Sequence, residues 1–301
     1  MKEHTKTTAL PLGAWVLQKV QDYKEAIKFR LTITVVFSSV MAFLIASIGA
    51  INWQSVLILA MGGFFVTGAA NIFNQVLEKD FDILMTRTQN RPIATGRMTV
   101  LEAVVAGGIM SIVGIAFLAL FNPWTAILGM VALVSYAFIY TPLKRVSPIA
   151  IFVGALPGAL PMVIGCAAAE GRLTLLGLSL FILQFLWQFP HSWSIGYLGF
   201  EDYKKAGFKF MPEVNGMLDR SAGLQSLLYS LFLIPVCVLP WFLGATGFAT
   251  AILAVLLSVG FSFFAWTFYE KYTRKSALVL MFYSIAYIPL VLIIFFLDKL
   301  G

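Results

Sequence analysis

Apolar residues run along this chain in blocks of roughly twenty, separated by short polar interruptions. A helix needs about 20 apolar residues to cross the hydrocarbon core of a bilayer. Blocks of about that length lie at 31–50, 55–76, 99–121, 124–140, 149–169, 175–196, 224–243, 247–266 and 277–297. They predict an all-α polytopic membrane protein with nine transmembrane helices. Asn52-Trp53, Asn122-Pro123-Trp124, Gly171 and Gly244 punctuate the ends of the blocks. The second block continues at helical spacing into the polar residues after 76.

The composition agrees with a lipid environment. Hydrophobic residues make up 60% and charged residues 12%, against about 45–50% and 25% in soluble domains. A chain this apolar cannot cover itself with a polar surface in water. The net charge of +7 first suggests nucleic acid, but its distribution does not. The segment before the first block and every second loop after it hold 19 of the 21 Lys and Arg residues, and only Arg172 and Lys299 fall on the other side. That sorting is the positive-inside pattern. It places the N-terminus in the cytoplasm and leaves no soluble basic patch for nucleic acid.

Residues 1–30 read as a cytoplasmic and interfacial segment, with the membrane domain at 31–301. Leu12, Trp15, Val16, Val20, Tyr23 and Ile27 recur at helical spacing with Lys and Glu between them, which predicts an amphipathic helix on the membrane surface. The polar lead is too long for a cleavable signal. Cys166 and Cys237 lie in apolar blocks and read as small hydrophobes. Dinucleotide-binding, Walker and GxSxG motifs are absent.

Chemistry is expected where polar groups meet the membrane edge. Asn71, Asn74, Gln75, Glu78 and Asp82 share one helical stripe, all within about 60° of Glu78 at about 100° per residue. Asp80 falls on the opposite side. The stripe is a ladder of hard oxygen donors, which suits Mg²⁺ and its phosphate co-ligands and not zinc. The plain alternative is a solvated helix end. Two features speak against it: carboxamides inside an apolar block need a reason, and the acids sit on the basic side. Asn74, Glu78 and Asp82 are therefore the candidate metal ligands.

Arg87 and Arg91 follow at once. Guanidinium forks bind phosphate, so carboxylates followed by arginines resemble the two halves of a diphosphate site. Lys144 and Arg145 lie in a short loop at the membrane surface; they either clamp a phosphate or anchor a helix. His191 is the sole histidine apart from His4. It follows Pro190 at the end of a block, among aromatics, and is either a substrate contact or a structural hydrogen-bonding residue. Glu201 and Asp202 are neighbours and diverge on a helix, so only Asp202 is a candidate for a second metal.

The series Asn74-x3-Glu78-x3-Asp82 and Arg87-Thr-x-Asn90-Arg91-Pro92 resembles the first acidic signature of the UbiA-type intramembrane prenyltransferases. Tyr140-Thr-Pro-Leu-Lys144-Arg145, Gly158-Ala-Leu-Pro161, Trp187-Gln-Phe-Pro190-His191 and Asp202-Tyr203…Ala206-Gly207…Met211-Pro212 resemble the branch that prenylates heme. Glu78 stands where the wider family usually has Asp. A second DxxxD motif is missing, which argues against the quinone branch.

The resemblance implies a helical ring around a central cavity that opens to lipid, in a bacterial plasma membrane with a cytoplasmic active face. Farnesyl diphosphate and heme B would be the substrates, heme O and diphosphate the products, and Mg²⁺ the cofactor. Arg87, Arg91, Lys144 and Arg145 would bind diphosphate, with Arg91 catalytic beside Asn74, Glu78 and Asp82, and His191 would contact heme. A neighbouring enzyme of heme synthesis or a terminal oxidase would be a partner. The alternatives are prenylation of an aromatic quinone precursor and transport of an anionic metabolite. Ionisable residues confined to the ends of the blocks speak against transport.

Overall fold

The computed structural model describes residues 11–209 and 211–300, so His4 and the start of the N-terminal segment lie outside the described residues. Helix α1 (Leu12–Ala26) precedes α2 (Phe29–Ala46), α3 (Trp53–Asp82), α4 (Val100–Ala119), α5 (Pro123–Leu143), α6 (Ala150–Glu170) and α7 (Leu175–Leu198). A short α8 (Phe200–Lys205) and a two-stranded hairpin, β1 (Glu213–Val214) and β2 (Met217–Leu218), lead to α9 (Ser221–Phe242), α10 (Phe248–Lys271) and α11 (Arg274–Leu297).

The punctuation of the sequence sets the helix ends. Asn52, Asn122 and Thr99 accept hydrogen bonds at 3.1 Å from the backbone N–H groups of Ser55, Thr125 and Glu102, and so cap α3, α5 and α4. Pro123 takes the first turn of α5, where its missing N–H costs nothing. Gly171 ends α6 with φ of 73°, a conformation that glycine adopts without strain.

Among the described residues, eight helices are long and apolar enough to cross a membrane. The block at 175–196, expected as a span, forms α7, a 24-residue helix. Its polar content separates it from the eight. Gln184, Gln188 and His191 share one face, and all three line an internal cavity.

The helices form two linked groups. Helix α2 packs on α3 and α6, and the chain from α3 through α4 and α5 returns to α6. Helix α7 packs on α9 and α11, with α10 between those two. Contacts of α6 with α7 and of α11 with α2 join the groups. Close approach requires small residues: a Cβ on Gly114 of α4 would come within 2.7 Å of the Val66 backbone nitrogen of α3.

Helix α1 lies apart from these, with Leu12, Trp15, Val16, Leu17 and Val20 exposed. Its buried residues are Ala26 and the acid Asp22, which accepts a 2.8 Å bond from Arg97 Nε. The helix turns its apolar side outward, as a surface helix must if that side meets lipid.

Candidate active site

A cavity of about 810 Å³ lies between α2, α3, α5, α6, α7 and α11. Its deep walls are apolar, with Val36, Leu133, Ile164, Ile288 and Pro289. Its polar head is built by the last turns of α3, the loop after it, and the end of α5.

Helix α3 runs unbroken for 30 residues to Asp82, so the stripe forms as the spacing predicts. Asn71, Asn74, Gln75, Glu78 and Asp82 are all buried, while Asp80 is exposed. Their duties divide. Asn71 Nδ2 donates to Ile27 O at 3.1 Å, and Gln75 Nε2 donates to Glu25 O and Ala26 O at 3.0 and 2.9 Å. These two amides satisfy the last carbonyls of α1 and fix its elbow with α2.

Each of the other three oxygen donors holds a cation. Lys28 Nζ donates to Asn74 Oδ1 at 2.6 Å. Lys144 Nζ pairs with Glu78. Arg91 Nη1 lies 2.8 Å from each carboxylate oxygen of Asp82. Buried carboxylates require such partners. Lys28 is deeply buried, and desolvation, with Arg91 and Lys144 nearby, lowers its pKa well below that of a free lysine; Glu78 and Asp82 oppose the shift.

Helix α5 contributes through a defect. Pro142 has no N–H for the carbonyl of Phe138, and the helix widens into a π segment at Ser135–Tyr140. π turns are frequent at functional sites. Here Tyr136 and Tyr140 line the cavity. Thr141 Oγ1 accepts from Asn74 Nδ2 at 3.0 Å and donates to Tyr136 O at 2.9 Å, so Asn74 Oδ1 is aimed at Lys28.

The remaining candidates scatter around this head. Arg87 Nη2 donates to Tyr203 OH at 2.9 Å, and both residues line the cavity. Arg145 turns away and stacks 4.4 Å over the Phe81 ring, which is the anchoring role. Asp202 accepts from Thr86 Oγ1 at 3.1 Å. Desolvation raises its pKa, but bonds from Thr86, Lys205 and the Arg87 backbone, with the Lys205 charge, together outweigh it and hold its carboxyl below the usual range. It thus ties α8 to the Arg87 loop and does not line the cavity. His191 does line it, stacked on Trp187 at 4.7 Å.

Sequence reasoning missed Lys28. It counted as one of six basic residues before the first block, and nothing local separates it from Lys24 or Arg30. Its left-handed conformation, φ of 49°, is what carries it into the head of the cavity, and only the fold shows that.

The donors fit magnesium. One carboxamide and two carboxylates are hard oxygens, and Asn71 Oδ1 and Gln75 Oε1 on the same stripe are buried without a hydrogen-bond partner. Among the described residues no cluster of three His, Cys, Asp or Glu side chains forms, so a zinc-type site is not present.

Residues 35–286 match the UbiA prenyltransferase family. The chain belongs to this family. It is 43% identical to the protoheme IX farnesyltransferase of Flavobacterium psychrophilum over 92% of this chain and 94% of that one. It is 42% identical to that of Cytophaga hutchinsonii over 93% and 98%. Solved UbiA-type structures share the fold. A digeranylgeranylglyceryl phosphate synthase has a TM-score of 0.78 at 18% identity, over 93% of this chain and 98% of that one. A UbiA homolog from Archaeoglobus fulgidus bound to GPP and Mg²⁺ has a TM-score of 0.64 at 17% identity, over 89% and 99%. The prenyltransferase assignment removes the transport alternative. It also explains why a membrane protein keeps a buried acidic stripe facing basic side chains.

Proposed function

We propose that the chain transfers the farnesyl group of farnesyl diphosphate to a vinyl group of heme B, yielding heme O and diphosphate. The observation that carries this reading is the head of the cavity. Asn74, Glu78 and Asp82 each face a cation there, above an apolar volume of about 810 Å³. The relatives named protoheme IX farnesyltransferase support heme as the acceptor.

Asn74, Glu78 and Asp82 are the residues that would hold Mg²⁺. When bound, the ion would neutralise charge on the diphosphate oxygens and make diphosphate a better leaving group. Lys28, which donates to Asn74, and Arg91 and Lys144, which pair with Asp82 and Glu78, are the groups available to those oxygens, with Arg87 at the rim. The allylic C–O bond breaks and its electron pair leaves with diphosphate. Charge develops on that leaving group, and fixed cations in a water-poor site stabilise it. The farnesyl cation lies among the faces of Tyr136, Tyr140 and Trp187 on the cavity wall. The vinyl π electrons form the new C–C bond. The cation left beside the porphyrin ring takes a water oxygen, and a proton is released.

The positive-inside sorting of the basic loops supports a cytoplasmic face for this head, and the bacterial relatives support a plasma membrane as its location. The test is incubation of the purified chain in lipid nanodiscs with farnesyl diphosphate and heme B, with the pigment read by mass. Heme O is the expected product. Product from an aromatic acid, with none from heme, would assign the quinone branch instead.

A further inference from the structure

Helix α11 holds a serine that sits between a backbone carbonyl and the His191 ring. Ser284 is fully buried. Its Oγ donates to Met281 O at 2.6 Å and lies 2.8 Å from Nδ1 of His191. A hydroxyl carries one hydrogen, and here the Met281 carbonyl has it. With the hydroxyl hydrogen on the Met281 carbonyl, the serine oxygen accepts from the imidazole, an arrangement that puts the ring proton on Nδ1 and the lone pair on Nε2. Among the described residues no donor or acceptor reaches Nε2.

The same serine fixes the plane of the ring. Its carbonyl accepts from Trp187 Nε1 at 2.8 Å, and the Trp187 ring stacks on His191 with centroids 4.7 Å apart and planes 18° apart. One residue of α11 therefore holds both partners of the stack, while His191 borders the cavity.

We propose that Ser284 is a positioning residue, locking His191 in the Nδ1–H tautomer so that Nε2 takes the iron of the heme substrate. This rests on the heme reading above. A neutral imidazole with an oriented Nδ1–H is the form that ligates iron, and the group accepting that proton tunes the bond. Ser284 touches no substrate itself.

The test uses the full-length chain in nanodiscs, titrated with ferrous heme B and read by resonance Raman at the iron–histidine stretch. Wild type shows the band, and His191→Ala loses it. Ser284→Ala moves the band to lower frequency and weakens heme affinity roughly tenfold, as removal of a ligand's hydrogen-bond partner typically does. Affinity for farnesyl diphosphate stays unchanged, which shows that the fold is intact. Ser284→Cys keeps the volume and behaves like alanine; Ser284→Thr restores band and affinity. A wild-type band and affinity in both the alanine and cysteine variants would overturn the role of Ser284. A band that survives His191→Ala would overturn iron ligation while leaving farnesyl transfer standing. Absence of heme O from wild type alongside a normal band would instead overturn the transfer reading.

Discussion

Arg91 meets Asp82 through a single nitrogen, with Nη1 2.8 Å from both carboxylate oxygens. The acid is buried, and the arginine side chain keeps 20% of its surface open. The rest of the fork remains directed elsewhere, so one arginine can neutralise the acid and still reach a second anion.

Replacing Asp82 by Asn removes a proposed metal ligand but keeps its shape. Heme O formation should fall by about two to three orders of magnitude, the usual cost of losing a preorganised charge-stabilising group. The melting temperature in detergent should change little. Near-normal turnover would contradict the assignment. Arg91→Ala should behave differently, since it strands a buried carboxylate, at a cost of about 3–5 kcal/mol. The double variant should recover part of that stability and none of the activity.

Lys28→Met should raise the KM for farnesyl diphosphate about tenfold, as loss of one charge-assisted hydrogen bond of about 1.4 kcal/mol would do. The KM for heme should stay put. Initial-rate kinetics with each substrate varied in turn would check this. Equal effects on both would mean that Lys28 supports the fold of the cavity and not the diphosphate subsite.

Lys28 also marks where sequence reasoning stops. The helices were legible because lipid demands long apolar runs, and the acidic stripe was legible because 3.6 residues per turn puts Asn74, Glu78 and Asp82 on one face. Both are local properties. Facts that depend on one element meeting another were not readable. Lys28 meets Asn74 across 46 positions, and Ser284 meets His191 across 93. Arg145 and Lys144 are adjacent in sequence yet point to Phe81 and Glu78, and only the turn after α5 decides which enters the site. Arg97 is similar. Topology explains its charge, but the fold spends it on Asp22, Glu25 and the Asn90 carbonyl, bracing α1 against the arginine loop.

Gly165 and Gly108 should respond oppositely to alanine. A Cβ at Gly165 would collide with the Ser39 carbonyl of α2 and lie 2.9 Å from the Phe43 nitrogen, whereas nothing lies within 4 Å at Gly108. Gly165→Ala should cost about 1–3 kcal/mol by overpacking. Gly108→Ala should be neutral or stabilise the helix by up to about 1 kcal/mol. Thermal unfolding in one detergent would compare them.

Chelation should silence the enzyme reversibly. With EDTA present, heme O formation should drop to background, and added Mg²⁺ should restore it. Tight heme binding should survive the treatment, because the acids and His191 serve different substrates. Full activity in EDTA would remove the metal role from Asn74, Glu78 and Asp82.

The most direct test of the central claim is turnover in ¹⁸O-enriched water. The purified chain, given farnesyl diphosphate, Mg²⁺ and heme B, should release diphosphate and form heme O whose new hydroxyl carries the solvent label. Unlabelled heme O would contradict capture of a heme-centred cation by water. Diphosphate release with no farnesylated heme would contradict the transfer itself.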